Sequence, residues 1–144
     1  MIKQRGFSLI EALIALVVLS LGLIGMAGMQ LKALNSATQA YQRSVATLAA
    51  VDAQERLWAA LAQLPSGDDC SDIDPQDAVS PGDESIEDIW IEHWFDGSET
   101  PIRGSNGTIS SLEGDCEFKI IIALDQVPDN TDGNFTYTFR LPEL

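Results

Sequence analysis

The sequence predicts an α+β fold in which a long N-terminal helix packs its second half against a small antiparallel β-sheet. Residues 12–29 carry no charge and are rich in Leu, Ile, Val and Ala. Residues 31–64 repeat apolar side chains at helical spacing. Two segments near the C-terminus alternate as strands do. At 144 residues, the chain can form one domain with a modest core, but not two ordinary domains plus a membrane anchor.

Charge is divided unevenly along the chain. Residues 1–56 contain five Lys or Arg and three acids, whereas residues 57–144 contain three Lys or Arg and nineteen acids. The formal net charge is -14 at pH 7. A surface of this sign repels a polyphosphate backbone, so we expect no nucleic-acid partner.

The uncharged segment from Ala12 to Met29 is long enough to cross a hydrocarbon core as a helix. Lys3 and Arg5 precede it and Lys32 follows it, so the positive-inside rule predicts a single pass with the N-terminus in the cytoplasm. The residues after the segment continue as helix, without the small-residue pattern of a signal-peptidase site. We therefore expect a membrane anchor and not a cleaved secretory signal.

Beyond the membrane, the apolar repeat predicts that the same helix continues with an amphipathic second half over residues 31–64. The Pro-Ser-Gly at residues 65–67 ends it. A helix from Phe7 to Leu64 would be about 87 Å long, more than a small domain needs. The length predicts either a subunit packed by other subunits or an anchor with a stalk. The repeat consists of Leu31, Leu34, Tyr41, Val45, Leu48, Val51, Leu57, Leu61 and Leu64.

Glu11 places a carboxylate inside the apolar stretch. An acid at mid-bilayer costs roughly 3 kcal/mol, and less near the end of a span. The residue therefore either has a partner, or lies near the membrane face in a solvated or protonated form.

The most specific motif surrounds Glu11. A short basic leader ends at Gly6, and the run Gly-Phe-Ser-Leu-Ile-Glu leads into the unbroken apolar helix. This order resembles the class III signal of type IV prepilins and type II secretion pseudopilins. The resemblance implies that prepilin peptidase removes the leader, residues 1–6, by cutting between Gly6 and Phe7, and methylates the new amine of Phe7. It also implies that Glu11 neutralises that amine on an adjacent subunit and so fixes the axial register.

Two further segments, Leu19–Gln30 and Arg43–Leu57, are similar to minor prepilins of the type IV pilus modification (PilV-like) family. The similarity implies a structural subunit, and not an enzyme, that acts in pilus assembly or initiation, adhesion and twitching motility. The implied partners are other minor and major pilins, the prepilin peptidase and the inner-membrane assembly platform. The implied locations are the inner membrane and then the pilus at the cell surface.

Two other functions remain open at this stage. Minor pseudopilins of type II secretion share the signal and have similar length, so the chain could instead act in a secretion filament. The third hypothesis is a bitopic membrane anchor with an acidic binding domain.

Residues 65–144 are predicted to form an acidic head domain outside the cytoplasm, after the filament-core helix of residues 7–30 and its amphipathic continuation. Ser85 to Asp88 resembles a capping box, and helical spacing favours a short helix over residues 85–95, although alternation there also fits a strand. Glu117–Leu124 and Phe135–Leu141 are predicted to pair as antiparallel strands across the loop Asp125–Asn134, with Thr108–Ile109 as a third strand.

Cys70 and Cys116 are the only cysteines, and the predicted topology places both outside the cytoplasm. We therefore expect a disulfide between them. Free thiols are the first alternative. A metal site is the second, although the only histidine, His93, lies in no ligand-spaced pattern.

The acidic residues are candidate ligands for calcium. The segment Asp129–Asn134 offers oxygen ligands at short spacing, but it does not match an EF-hand loop, and neither does a second group of acids. A solvated acidic surface is the favoured interpretation, and we expect no metal, cofactor or catalytic residue, because the sequence contains no nucleophile triad order, phosphate loop or HExxH motif. The second group is Asp69, Asp72, Asp74 and Asp77.

Overall fold

The computed structural model describes residues 8–77, 84–96, 100–102, 105–112, 116–124 and 133–142. Contacts divide the chain into two compact units, Met1–Thr38 and Gln39–Leu144. Helix α1, Leu9–Leu61, runs through residues of both. The predicted cleavage-site residues Gly6 and Phe7 lie outside the described residues.

In the first unit, the described residues are almost all helical, and α1 begins where the carbonyl of Ser8 accepts the N–H groups of Glu11 and Ala12 at 3.0 and 3.3 Å. Every large apolar side chain from Leu9 to Leu34 is exposed. The helix is long and apolar enough to cross a membrane by length and composition, and none of its apolar window is buried within the chain. This surface is therefore available to lipid or to another protein.

In the second unit, α1 packs through small side chains. Ala49, Ala50 and Ala53 are fully buried, and Leu57 and Leu61 extend the same face. Because alanine has so little side chain, the layer that covers this face can approach the helix backbone closely. The indole of Trp90 does so, and its Nε1–H donates to the Ala49 carbonyl at 2.8 Å.

The sheet is antiparallel, and its three strands lie side by side in the order in which they follow each other along the chain. Buried and half-buried residues alternate along the central strand, so Phe118, Ile120 and Ile122 face the helix. The three predicted strands and the antiparallel pairing of the last two are confirmed. The first strand is longer than the predicted Thr108–Ile109, and it pairs with the central strand. The strands are β1, Asn106–Leu112, β2, Glu117–Ala123, and β3, Asn134–Arg140. Most of the predicted loop, residues 125–132, lies outside the described part of the chain.

The segment between helix and sheet contains a 3-10 turn at Cys70–Asp72, helix α2 at Ile86–Ile91 and a π-helical turn at Glu92–Asp96. The helical prediction for residues 85–95 is confirmed, and the strand alternative is wrong. Ser85 caps α2 through its Oγ, which accepts the Asp88 N–H at 3.0 Å. Instead of returning to the backbone of Ser85, the Asp88 carboxylate accepts the Ser85 hydroxyl at 2.8 Å.

Two features of α1 differ from the expectation. The helix ends at Leu61, three residues before the predicted end. Beyond it the chain tightens into a final turn, in which the Gln63 and Leu64 N–H groups donate to carbonyls three residues back, those of Ala60 and Leu61. The apolar repeat also does not form a single face. Val45, Leu57 and Leu61 are buried, whereas the large apolar residues between them are exposed.

Candidate assembly surfaces

Glu11 lies in the first turn of α1 and is exposed. Within the described residues it forms no salt bridge, and its neighbours Ile10, Leu13 and Ile14 are exposed apolar side chains. The described chain therefore presents a single carboxylate on an apolar surface. Such a group needs a cationic or hydrogen-bonding partner once water is removed.

A second surface, which we call the outer face, lies on α1 away from the sheet. It consists of Tyr41, Leu48, Val51 and Trp58. Leu48 is 61% exposed and Trp58 is 40% exposed, and the spacing of seven, three and seven residues keeps the four along one strip of the helix. Apolar side chains exposed in such a strip are typical of a surface that another protein covers.

Hydrogen bonds determine which side of α1 the head covers. Asp52 Oδ2 accepts both Arg56 Nε at 2.8 Å and Trp94 Nε1 at 3.0 Å. Tyr137 in β3 donates its hydroxyl to Gln54 Oε1 at 2.7 Å. These bonds anchor the π-helical turn and the sheet to α1, so the outer face stays uncovered.

The sequence pattern placed Leu48 and Val51 on the same face as the core residues and omitted Trp58. The small residues Ala49, Ala50 and Ala53 were the signal that could have separated the two faces. These alanines lie on the side of the helix that another layer can approach closely. The large apolar residues at other positions around the helix therefore point outward.

Cys70 and Cys116 form the predicted disulfide, with their Cα atoms 5.2 Å apart. The bond joins the 3-10 turn to the residue before β2. Cys116 adopts a left-handed backbone conformation with φ of 49°, and its carbonyl accepts the Leu141 N–H at 2.9 Å. Asp69 lies beside the two sulfurs, but sulfurs bonded to each other provide no thiolate for a metal.

The second acidic group forms turns. Asp69 Oδ1 accepts Ser71 N–H at 2.7 Å, Asp72 Oδ2 accepts Asp69 N–H at 2.9 Å, and Asp74 Oδ1 accepts Gln76 N–H at 2.9 Å. The hydroxyl and then the backbone N–H of Ser71 lower the pKa of Asp69 below its ordinary value. These bonds give the Asp69, Asp72 and Asp74 carboxylates a structural role in the turns. Residues 129–132 of the other acidic group lie outside the described residues.

The comparisons with known proteins concern the N-terminal end. A family model described as the prokaryotic N-terminal methylation motif matches residues 1–27. No curated protein and no solved structure matches the chain. The motif indicates a type IV pilin-like or pseudopilin-like protein of structural type, with a membrane-anchoring N-terminal helix and partners among pilus or pseudopilus components.

Proposed function

We propose that this chain is a minor pilin that acts in type IV pilus assembly or initiation. In this proposal, prepilin peptidase cuts between Gly6 and Phe7, Phe7 is N-methylated, and α1 then packs among the helices of other pilins. The observation that carries the proposal is the methylation motif over residues 1–27. It includes the exposed apolar start of α1, where Glu11 is the one carboxylate.

The first half of α1 supports a subunit that moves from lipid into a filament. Its side chains from Leu9 to Leu34 are apolar and exposed, so they can contact acyl chains before assembly and other helices after it. A filament core would also bury the new amine of Phe7, and the Glu11 carboxylate of a neighbouring subunit can compensate that charge. Such a pair is an uncertain source of stability, but it favours one axial register.

The outer face favours a packed subunit over a simple anchor. A stalk that only connects an anchor to a soluble domain faces water on every free side, and its free side is then polar. Here Leu48, Val51 and Trp58 leave apolar surface on the free side of α1. A filament neighbour would cover this surface.

The minor-pilin assignment is supported by the similarity of Leu19–Gln30 and Arg43–Leu57 to PilV-like prepilins. In this role the head would reach the cell surface, where the family acts in adhesion and twitching motility. Deletion distinguishes this function from the secretion alternative. Loss of surface pili with normal exoprotein release supports a pilin, and the reverse result supports a type II secretion pseudopilin.

The test of the assembly role is Glu11→Ala, compared with Glu92→Ala as a control that also removes an exposed carboxylate. We expect both variants to reach the membrane fraction and to lose the leader. Glu11→Ala should be at least tenfold depleted from sheared pili, whereas Glu92→Ala should be present at the unmodified level. Normal incorporation of Glu11→Ala would contradict the proposed role of the carboxylate.

A further inference from the structure

The outer surface of the sheet carries two copies of one short motif. Asn106-Gly107-Thr108 begins β1 and Asn134-Phe135-Thr136 begins β3, and both have the form Asn-x-Thr. In each strand the Asn and the Thr are two residues apart, so they lie on the same side of the sheet, where both are exposed. Among the described residues, neither Asn side chain has a hydrogen-bond partner. Both side-chain amides are therefore open to recognition by another molecule.

Strand pairing places the two motifs side by side. Asn106 and Asn134 both pair with Ala123 of β2, and the Thr residues of both motifs pair with Ile121. Because β1 and β3 are both antiparallel to β2, the motifs run in the same direction, about 10 Å apart. The side chain between the two Asn residues is only the methyl group of Ala123. This end of the outer surface therefore has room for a bulky substituent.

A group attached to Asn134 would extend into solvent and not into the core. The inward side chains of β3 are Phe135, Tyr137 and Phe139, which pack against the core. Asn134 is the first residue of the strand, and within the described part of the chain β3 pairs only with β2. The fold therefore leaves the Asn134 amide accessible to an enzyme.

The two motifs differ in the residue two positions before the Asn. Asp132 precedes Asn134 at this distance, whereas Gly104 precedes Asn106. Both preceding residues lie outside the described residues. An acid in this position offers a charge that a basic side chain of a transferase can recognise. The sequence therefore distinguishes Asn134 from Asn106, although the fold exposes both.

We propose that Asn134 is an acceptor for an N-linked glycan and is selected over Asn106 by the acid before it. Asn-x-Ser/Thr is the acceptor pattern of N-glycosylation in exported proteins. The inference rests on the location of the head outside the cytoplasm, which is part of the proposed function. The donor class is an oligosaccharide carried on a polyprenyl pyrophosphate. Asn134 Nδ2 bonds to the anomeric carbon of the sugar and gives up one proton, while the bond from that carbon to the phosphate oxygen breaks and the pyrophosphate leaves with the electron pair.

The test is peptide mass spectrometry on the full-length protein, purified from the membranes of the cells that make it. Trypsin cuts after Arg103, Lys119 and Arg140, so after reduction of the disulfide the two motifs lie in separate peptides, residues 104–119 and 120–140. We expect the second peptide to be heavier by the mass of an oligosaccharide. The first peptide should be unmodified.

Variants locate the attachment. Asn134→Gln and Thr136→Val should both lose the added mass, because the first removes the acceptor amide and the second removes the hydroxyl of the motif. Thr136→Ser keeps the hydroxyl, and Thr138→Val changes an exposed threonine outside the motif, so both should keep the added mass. Valine is as well suited to a strand as threonine, so the head should remain folded. Asp132→Ala should reduce the modified fraction of the peptide.

An unmodified 120–140 peptide would overturn the proposal, and so would an added mass that persists in Asn134→Gln. Equal modification of the 104–119 peptide would overturn the selection of Asn134 by its preceding acid. The N-terminal peptide of the same digest reports removal of the leader separately. An unmodified Asn134 in a chain that begins at Phe7 would contradict this inference alone, whereas a glycosylated chain that begins at Met1 would contradict only the proposed function.

Discussion

Gly107 shows how closely the helical layer approaches the sheet. A Cβ atom at this position would lie 2.6 Å from ring atoms of Trp90 and Phe95, both of which are buried. We predict that Gly107→Ala destabilises the protein by about 1–3 kcal/mol, the usual cost of overpacking. Thermal unfolding measures this effect, with Thr108→Ala at an exposed neighbouring position as the control. An unchanged unfolding temperature for Gly107→Ala would show that the rings do not lie against the strand.

Asp69 provides a test of local electrostatics. Its pKa is lowered by the Ser71 hydroxyl and then by the Ser71 N–H. A lowered pKa in the folded state stabilises the protein above the ordinary carboxyl pKa of 3.8, and this contribution is lost as the pH falls through the folded pKa. We predict that Ser71→Ala raises the pKa of Asp69 toward its ordinary value, whereas Ser71→Thr keeps it low. An NMR titration of the Asp69 carboxyl carbon measures the change. An Asp69 pKa that Ser71→Ala leaves unaltered would contradict the assigned cause.

At the residue scale, local chemistry was predictable and distant contacts were not. Ser85 was identified as the start of a short helix because a cap depends on residues three positions apart. The bond from Trp90 to the Ala49 carbonyl joins residues 41 positions apart, and no local pattern specifies it. The predicted roles of Gly6, Phe7 and Glu11 come from the motif, and they remain predictions to be tested in the cell.

At the scale of elements, α1 has two apolar sides, one buried in the head and one exposed. We predict that Leu57→Ala, on the buried side, lowers stability by about 2–5 kcal/mol. Leu48→Ala, on the exposed side, should leave stability within about 0.5 kcal/mol of the unmodified protein but reduce incorporation into pili. Denaturant unfolding and quantification in sheared pili measure the two effects. Equal incorporation of Leu48→Ala and the unmodified chain would show that the outer face is not an assembly surface.

The disulfide connects elements that are distant in sequence. Cys70 and Cys116 are 46 positions apart, and the chain-entropy model gives about 4 kcal/mol for closing a loop of this length. We predict that the double variant Cys70→Ser with Cys116→Ser loses stability of this order in urea unfolding. Reductant should lower the stability of the unmodified protein to the same level and have no effect on the variant. A variant as stable as the oxidised protein would contradict this prediction.

For the whole molecule, the order of elements and the pairing of β2 with β3 could be predicted, because apolar periodicity separates the long helix from the alternating strands. Over residues 85–95 the pattern fitted both helix and strand. The division of α1 into a covered and a free side does not follow from the positions of its large apolar residues, because these lie on both sides. Only the small residues Ala49, Ala50 and Ala53 distinguish the covered side. The contact of α2 with β1, where the Ile109 N–H donates to Glu87 Oε2 at 3.4 Å, was also not predictable, because no local pattern specifies where α2 lies.

The central claim is that the apolar helix with Glu11 belongs to a chain that is processed for assembly with its neighbours. The most direct measurement is the intact mass of the protein purified from the membrane of cells that contain prepilin peptidase. The proposed function predicts a chain that begins at Phe7 and is heavier by one methyl group, and unprocessed protein in cells without the peptidase. A chain that begins at Met1 in both cells, without a methyl group, would contradict the claim.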